Sequence, residues 1–334
     1  MSNVALVQVS FNNDDPASTL KVVTKPIPKP APGQVVVHIK LRPINPSDFN
    51  NLLMGGLIEG GRNGSPGSEG FGIVHEVGEG VTTLHEGQRV IPVTMFESYT
   101  GNGSFQKYIC INANHVLPVP DDISDEIAAQ FLVNPLTSYS ILKDLQVPKG
   151  QYMIQSSAGS VLGKQVITLA KHWGIKSINV VRRSEQKAEL KALGADEVIC
   201  STDEDVVARV KEITGGKGAW GALDPVGGTI TGMLASCVRD GGQMFIYGVL
   251  GGFTLTMGTK DLFRGVSLQG WVLFRKGIIN PEILNALYTE ILPLVRHGII
   301  SVAEVEKHDL TDFKQALAKA AEPGRSGKIL LVSA

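Results

Sequence analysis

The chain of 334 residues has a formal net charge of −1, with 43 % hydrophobic and 19 % charged residues. This length exceeds one ordinary hydrophobic core and indicates two domains. The near-neutral charge gives no reason to expect a nucleic acid or an anionic membrane as a partner, and no apolar stretch reaches the length of a membrane span. Because the first ten residues also lack a targeting pattern, we expect a cytoplasmic protein.

The first part of the chain, to about residue 120, is predicted to be rich in strands. Short β-branched runs alternate there with turns that contain Pro and Gly, and no stretch of any length has helical periodicity. The predicted strands cover residues 4–9, 35–40, 72–77, 89–93 and 105–111. The pattern is typical of a compact, barrel-like β domain.

After residue 118 the pattern changes to alternating helices and strands. A helical segment at 121–145 opens this part. Predicted strands follow at 152–155, 177–181, 197–200, 219–224 and 243–247, with predicted helices at 161–173, 185–193, 206–214 and 229–237. Repeated βαβ units specify a parallel sheet with helices on both faces. A helix at 281–297 and a strand at 328–332 lie outside this series and are expected to return to the first domain.

The sequence therefore predicts an α/β protein of two domains. Residues 1–123 and 278–334 would form the β-rich substrate domain, and residues 124–277 would form a doubly wound parallel sheet of the Rossmann type. In such a protein the active site lies in the cleft where the domains meet, outside the carboxyl ends of the parallel strands.

The most informative segment is the turn from Gln155 to Gly163, which follows an apolar strand and opens a helix. Small residues let the backbone approach a pyrophosphate, and the helix N-terminus supplies N–H groups and a partial positive charge. The glycine pattern is looser than GxGxxG, so a tight turn without a ligand is the alternative interpretation.

The end of the next strand indicates which dinucleotide binds. An acidic residue about 20 residues beyond the turn would hold the ribose 2′-hydroxyl of NAD. Here the strand ends in Arg182, Arg183 and Ser184, with no carboxylate before Glu185. Two guanidinium groups and a hydroxyl suit the 2′-phosphate of NADP through charge-assisted bonds. The sequence thus favours NADPH, the alternative being a solvated basic pair before a surface helix.

With these segments the chain resembles the zinc-free branch of the medium-chain dehydrogenase/reductases. It is most similar to the 2-enoyl thioester reductases, with the quinone reductases as cousins. The matching segments run in order along nearly the whole chain, at 44–48, 67–70, 133–137, 155–163, 178–183, 224–228 and 327–331. The resemblance implies a Rossmann domain joined to a GroES-like β-rich catalytic domain.

The resemblance also implies the roles of individual residues. Asn45 and Thr137 would be catalytic, with Asn134 beside the nicotinamide. The other cofactor residues would be Gly159, Ser160, Val161 and Leu162 along the pyrophosphate, Arg182, Arg183 and Ser184 at the 2′-phosphate, Tyr247, Gly248, Val249, Leu250, Trp271, Val272 and Leu273 at the nicotinamide half, and Lys328 near the cleft. Plain structural roles stay open as alternatives for Tyr247, Trp271 and Lys328.

No metal is expected in this chain. Alcohol dehydrogenases of the superfamily carry a Cys where this sequence has Asn45 and a His where it has Ser68, next to Glu69. Neither Asn45 nor Ser68 is a good zinc ligand, and Glu69 alone cannot build a tetrahedral site. The structural zinc lobe of those enzymes needs four cysteines in one loop, whereas this protein has three in total.

The proton donor is where the sequence departs from the family. Enoyl thioester reductases usually carry a tyrosine shortly after the segment at 44–48, but this chain has Gly56 or Leu57 near that place and no tyrosine between Ile44 and Gly70. If a phenol protonates the substrate in the family, this protein must use water or another group. The loss of general-acid assistance would be about 10²–10⁴-fold.

Three functions remain open at this point. The first is NADPH-dependent reduction of an activated C=C bond, in an enone or a 2-enoyl thioester. The second is NADPH:quinone reduction, which suits a site without a dedicated acid because quinone oxygens take protons from solvent. The third is a protein that binds NADPH as a sensor without turnover.

The family resemblance further implies a homodimer, formed through the edge of the Rossmann sheet. The apolar run at 266–273 is a predicted edge strand that such pairing would protect. Apart from a second copy, only a small-molecule substrate is expected as a partner.

Overall fold

The computed structural model describes residues 2–12, 14–53, 64–322, 324 and 327–333. The chain divides into two compact units, the first comprising residues 1–133, 279–289 and 302–334, and the second residues 134–278 and 290–301. The domain limits given by the sequence, 1–123 with 278–334 against 124–277, stay a prediction. In the described residues, no helix combines the length and the apolar character that crossing a membrane requires.

The described strands and helices are as follows. The strands are β1 (Asn3–Gln8), β2 (Leu20–Lys25), β3 (Gln34–Pro43), β4 (Phe71–Val77), β5 (Arg89–Pro92), β6 (Tyr108–Asn112), β7 (Val116–Pro118), β8 (Tyr152–Gln155), β9 (Lys176–Val181), β10 (Glu197–Cys200), β11 (Ala219–Asp224), β12 (Val238–Ile246), β13 (Ser267–Gly270), β14 (Val305–Asp309) and β15 (Lys328–Val332). The helices are α1 (Pro46–Leu53), α2 (Thr94–Glu97), α3 (Asp125–Ala129), α4 (Val133–Leu145), α5 (Val161–Trp173), α6 (Gln186–Leu193), α7 (Val206–Ile213), α8 (Gly228–Cys237), α9 (Thr259–Phe263), α10 (Pro281–Arg296) and α11 (Phe313–Ala321).

The first unit is built on a mostly antiparallel sheet. Its strands lie in the order β14-β15-β3-β4-β5-β7, with β6 also paired to β3, and β1 and β2 form a separate antiparallel pair. On the long strand β3, the buried side chains of Val35, Val37 and Ile39 belong to one hydrophobic cluster with Ile109 of β6. Burying these β-branched side chains on one face is what holds the antiparallel sheet together.

A buried cation joins three segments of this unit. Arg42, at the end of β3, is fully buried and donates hydrogen bonds to the carbonyl oxygens of Ile39 (2.6 Å), Gln106 (3.3 Å) and Leu331 (3.4 Å). Burial lowers its pKa to about 9. These oxygens belong to β3, β15 and the residues before β6, so the guanidinium group supplies donors where three backbone segments converge.

The second unit is the predicted Rossmann-type sheet. Six strands lie in the order β10-β9-β8-β11-β12-β13, and every pair is parallel. Side chains of the central strands, such as Ile154, Ile178, Ala222 and Met244, are fully buried. Such continuous apolar runs are expected of parallel strands covered by helices on both faces.

Several elements differ from those expected. The segment predicted as one helix at 121–145 forms α3 and α4, and the strands β2 and β14 and the helix α1 were not predicted. Both strands are largely exposed and therefore lack the apolar alternation that identifies a strand in a sequence. Helix α1 has only eight residues and is too short for a clear helical period. Pairing with β1 and β15 defines the two strands instead.

Candidate functional site

The predicted cofactor residues of the second unit follow the ends of its parallel strands. The turn at 155–163 follows β8, the basic segment at 182–184 follows β9, and residues 247–250 and 271–273 follow β12 and β13. Because the carboxyl ends of parallel strands lie at the same edge of a sheet, the fold brings these four segments to one edge. This arrangement is the one in which α/β sheets bind dinucleotides.

Buried side-chain hydrogen bonds fix the turn between β8 and α5. Gln155 donates from Nε2 to the carbonyl oxygen of Gly163 (2.9 Å) and to Oδ1 of Asn179 on β9 (2.8 Å). Ser157 has a φ of 51°, which is uncommon for a residue with a side chain. Ser160 caps α5 by accepting a bond from the Gly163 amide (3.1 Å). These bonds fix the start of α5, and a helix N-terminus of this kind favours anions.

A buried carboxylate ties this turn to the loop after β11. Asp224 is fully buried and accepts hydrogen bonds from the hydroxyls of Ser156 (2.6 Å) and Thr231 (2.7 Å) and from the amide of Val226 (2.9 Å). The sequence showed Asp224 only as part of a matching segment, without a role. Its carboxylate fixes the position of the turn residue Ser156 relative to the start of α8.

The basic segment after β9 is open to solvent. Arg182, Arg183 and Ser184 are all exposed, and neither guanidinium group has an ion pair within the described parts of the chain. Unpaired cations beside a dinucleotide-type turn match the chemistry of a phosphate.

Tyr247 carries an unsatisfied polar group. Its hydroxyl is buried without a hydrogen-bond partner among the residues that the structure describes, and burial, followed by the charge of Asp224, raises its pKa. A buried hydroxyl without a partner is unfavourable, and a polar group of a bound cofactor would satisfy it. The turn, the helix start and this hydroxyl together fit a dinucleotide.

The other residues predicted at the nicotinamide half differ in burial and in whether their polar groups already have partners. Trp271 is mostly buried and donates from its indole nitrogen to Oδ2 of Asp144 on α4 (2.8 Å), so its N–H is already used within the second unit. Leu250 and Val272 are exposed. On α4, Asn134 and Thr137 are partly exposed while the residues between them are buried. Their spacing of three puts them on one face of the helix.

In the first unit, Asn45 belongs to a buried polar cluster. Asn45 precedes α1, and its backbone N–H donates to Asp48 Oδ2 (2.8 Å). The other carboxylate oxygen of Asp48 accepts from the Ser68 hydroxyl (2.6 Å). The Asn45 side chain donates to Glu69 Oε1 (2.8 Å) and accepts a bond from the Lys328 ammonium group. All five residues are 3 % exposed or less. We call these residues, Asn45, Asp48, Ser68, Glu69 and Lys328, the buried cluster.

The charges of the buried cluster counter one another. Burial raises the pKa of both Asp48 and Glu69, and the Lys328 ammonium group acts in the opposite direction on each. Glu69 Oε2 also accepts from the amides of Leu132 (3.1 Å) and Val133 (2.8 Å). Because a cation is expensive to bury alone, Lys328 is stable here only beside these carboxylates. Its predicted contact with the cofactor stays a prediction.

The residues of the buried cluster do not fit zinc. Both carboxylates already accept hydrogen bonds from protein donors, and an ammonium group lies among them. In the described ranges, no group of three or more His, Cys, Asp or Glu side chains is arranged to hold a metal ion. A zinc site would need such ligands at about 2.0–2.3 Å.

Tyr99 is a candidate proton donor that the sequence did not single out. Gly56 and Leu57, near the place of the family tyrosine, lie outside the described residues. Tyr99 follows α2 and is partly buried; burial, followed by the charge of Asp48, raises its pKa. The segment is tied to the chain before Ser68, because Ser65 and Gly101 are joined by a 2.7 Å backbone hydrogen bond. Such long-range backbone pairing, which a sequence does not show, puts the segment beside the chain before Ser68.

Both units contain segments that match known protein families. The family described as "Alcohol dehydrogenase GroES-like domain" matches residues 31–121, and that described as "Zinc-binding dehydrogenase" matches residues 161–287. A mitochondrial enoyl-[acyl-carrier-protein] reductase of Caenorhabditis elegans is 36 % identical over 94 % of this chain and 91 % of that protein. The chain belongs to the medium-chain dehydrogenase/reductases, in the branch of enoyl reductases and quinone oxidoreductases. The fold class, a Rossmann sheet with a GroES-like domain, is confirmed.

Two further relatives represent the two sides of this branch. A mitochondrial enoyl-[acyl-carrier-protein] reductase of Dictyostelium discoideum is 31 % identical over 96 % of this chain and 92 % of its own length. The structure of Escherichia coli quinone oxidoreductase complexed with NADPH is 25 % identical, covers 99 % of this chain and 100 % of its own, and has a TM-score of 0.87.

Lys328→Met should destabilise the fold by about 3–5 kcal/mol, because it leaves the carboxylates of the buried cluster without a cation. Adding Glu69→Gln to this variant should recover part of the loss, since one buried charge is then removed. The free energy of unfolding in urea measures both effects. Lys307→Met, which removes an exposed ion pair with Glu126, is the control and should cost less than about 1 kcal/mol. Strictly additive effects of the Lys328 and Glu69 substitutions would contradict this account.

Proposed function

We propose that this protein reduces the C=C bond of a 2-enoyl thioester, with NADPH as the hydride donor. The observation that carries the proposal is the family membership over nearly the whole chain, which extends to relatives named as enoyl-[acyl-carrier-protein] reductases. The chain is an NADPH-dependent oxidoreductase: the solved relative from Escherichia coli is complexed with NADPH, and the carboxyl edge of the second unit fits a dinucleotide.

The proposed cofactor site uses residues from all four segments at that edge. Gly159, Ser160, Val161 and Leu162 would hold the diphosphate at the start of α5, and Arg182, Arg183 and Ser184 the 2′-phosphate. The buried hydroxyl of Tyr247 would bond to the nicotinamide half of the cofactor. Asn134 and Thr137, which are partly exposed on α4, would lie beside the nicotinamide. When bound, NADPH supplies the hydride. The protein's own contribution is to orient the reactants and to exclude water.

Asn45 is proposed to act at the substrate from a fixed position. Its side-chain amide is held between Glu69 and Lys328, so its orientation is set before a substrate arrives. One amide N–H remains beyond the bond to Glu69, and a preorganised donor of this kind can stabilise charge that develops on a carbonyl oxygen.

Reduction of a C=C bond also requires a proton at the carbon next to the carbonyl group. We propose Tyr99 as its donor, because it is partly exposed and lies on a segment that backbone hydrogen bonds join to the chain before Ser68, which itself donates to Asp48. Tyr288 of the same unit is a weaker candidate, because it donates to the carbonyl oxygen of Pro118.

Quinone reduction is the second candidate. It is favoured by the likeness to Escherichia coli quinone oxidoreductase over both whole chains, and by the absence of a tyrosine between Ile44 and Gly70. An NADPH sensor without turnover is the third. The cytoplasm, expected from the sequence, stays a prediction, since the first relatives named above are mitochondrial.

Oxidation of NADPH at 340 nm, with a 2-enoyl-CoA, a simple enone and 9,10-phenanthrenequinone as acceptors, tests the function and the proton donor together. The wild type should turn over the enoyl-CoA. Tyr99→Phe should lower that rate by about 10²-fold, the assistance typical of a general acid, and should leave quinone reduction unchanged, since quinone oxygens take protons from solvent.

The control for that assay is Tyr152→Phe, which removes a phenol at the amino end of β8 and should leave both rates unchanged. Turnover of the quinone alone by the wild type would replace the proposed function with the second candidate. Tight NADPH binding without any turnover would favour the sensor, and equal losses on both substrates in Tyr99→Phe would rule out its role as proton donor.

Replacing Arg182 and Arg183 together by Ala should weaken NADPH binding at least about 100-fold and NADH binding less than threefold, because two charge-assisted bonds to the 2′-phosphate are lost. Fluorescence titration with each nucleotide measures the ratio. Arg209→Ala, on α7 and paired with Glu212, is the control. Equal losses for NADPH and NADH would place the 2′-phosphate elsewhere.

We also propose a homodimer formed through β13. This strand is the last of the second unit's sheet, so one of its backbone edges has no partner strand among the described residues. Large apolar side chains of the same unit are exposed, among them Phe253, Leu262 and Phe263, the last at 88 %. Such an edge and patch favour association. Light scattering at micromolar concentration should give twice the mass of one chain, and a monomeric mass would contradict the proposal.

A further inference from the structure

The side chain of Gln186 lies on the dinucleotide-type turn. A Cβ atom built on Gly159 would be 2.1 Å from Gln186 Nε2, 2.7 Å from its Cδ and 3.0 Å from its Oε1. The amide group of Gln186 therefore rests directly on the backbone of Gly159. No residue other than glycine could occupy position 159 without displacing it.

The chain places Gln186 there through a short turn after β9. The backbone N–H of Gln186 donates to the carbonyl oxygen of Arg183 (3.2 Å), and the backbone N–H of Lys187 donates to the carbonyl oxygen of Ser184 (3.0 Å). Gln186 is also the first residue of α6. Residues 182–186 thus form one segment. It has exposed guanidinium groups at its start, and the side-chain amide of its last residue lies on Gly159.

The amide group of Gln186 has no hydrogen-bond partner among the described residues, although it lies on the start of a helix suited to anions. A primary amide has two N–H donors. Diphosphates bind at this position of an α/β sheet, where small residues allow close approach. The unused donors of Gln186 are therefore already at the surface that a diphosphate would cover.

We propose that Gln186 is a cofactor-binding residue that donates hydrogen bonds to the diphosphate of the dinucleotide above Gly159. This inference rests on the proposed function, because it requires that a dinucleotide binds at this edge. An amide carries no charge, and the diphosphate is the part that NADPH and NADH share. Gln186 therefore contributes equally to NADPH and NADH, whereas Arg182 and Arg183 distinguish them.

Two substitutions separate this role from a steric one. Gln186→Ala removes the donors and should weaken the binding of both nucleotides about 5–10-fold, the range of a lost neutral hydrogen bond. Gln186→Glu keeps the shape but places a carboxylate against the phosphates. Its effect should exceed 10-fold for both nucleotides and should decrease with added salt, because screening weakens charge repulsion.

The measurement is the dissociation constant of NADPH and of NADH by titration calorimetry, at low and at moderate salt. Gln151→Glu is the matched control: Gln151 is exposed and precedes β8 at the amino edge of the same sheet, so the same charge change there should alter binding less than twofold. Circular dichroism verifies that each variant is folded.

The outcomes are distinguishable. Equal weakening of NADPH and NADH in both Gln186 variants supports the inference. Tighter binding by Gln186→Ala would show that the amide only covers the turn, and an effect confined to NADPH would place it at the 2′-phosphate; either result overturns the proposal. Unchanged binding by Gln186→Glu overturns it too. If the wild type binds neither nucleotide, the proposed function fails as well.

Discussion

The buried carboxylate of Asp224 is the interaction on which the second unit's ligand-binding edge depends. It accepts bonds from Ser156, Thr231 and Val226, so two loops that leave different strands are held at fixed positions. A buried charge is tolerated only when its oxygens are satisfied, and the loops supply those donors. The positions of the turn after β8, and of the helix start that it exposes, follow from this constraint.

The first unit satisfies a similar constraint with a buried cation, which lies beside two buried carboxylates. In members of this superfamily with zinc, a metal ion can balance buried acidic ligands. In this chain the Lys328 ammonium group lies beside Asn45 and acts on both Asp48 and Glu69. This internal cation thereby orients the Asn45 amide. The cost of burying these side chains is offset by the attraction of Lys328 to the two carboxylates and by backbone donors such as the Val133 amide.

The two units contribute different groups to the proposed reaction. Under the proposed function, the second unit would offer an edge of neutral donors to the cofactor's phosphates, with cations at one end, and the first unit would offer Asn45, whose side chain is held in one orientation. Neither arrangement requires a Lewis acid. Hydride transfer to an electron-poor carbon depends mainly on positioning and on stabilising charge at the carbonyl oxygen, and both can be supplied by the residues described above.

The sequence by itself determined the parallel sheet, because the apolar runs around Ile154, Ile178 and Leu223 alternate with helices and can be buried only on two covered faces. It also located the turn at 155–163 and the basic segment at 182–184, since these directly follow strands. It could not show the partners of Lys328, which lies 283 positions from Asn45, nor the amide of Gln186 on Gly159. Those contacts join segments that are distant along the chain, and only the packing of the sheets decides which distant side chains meet.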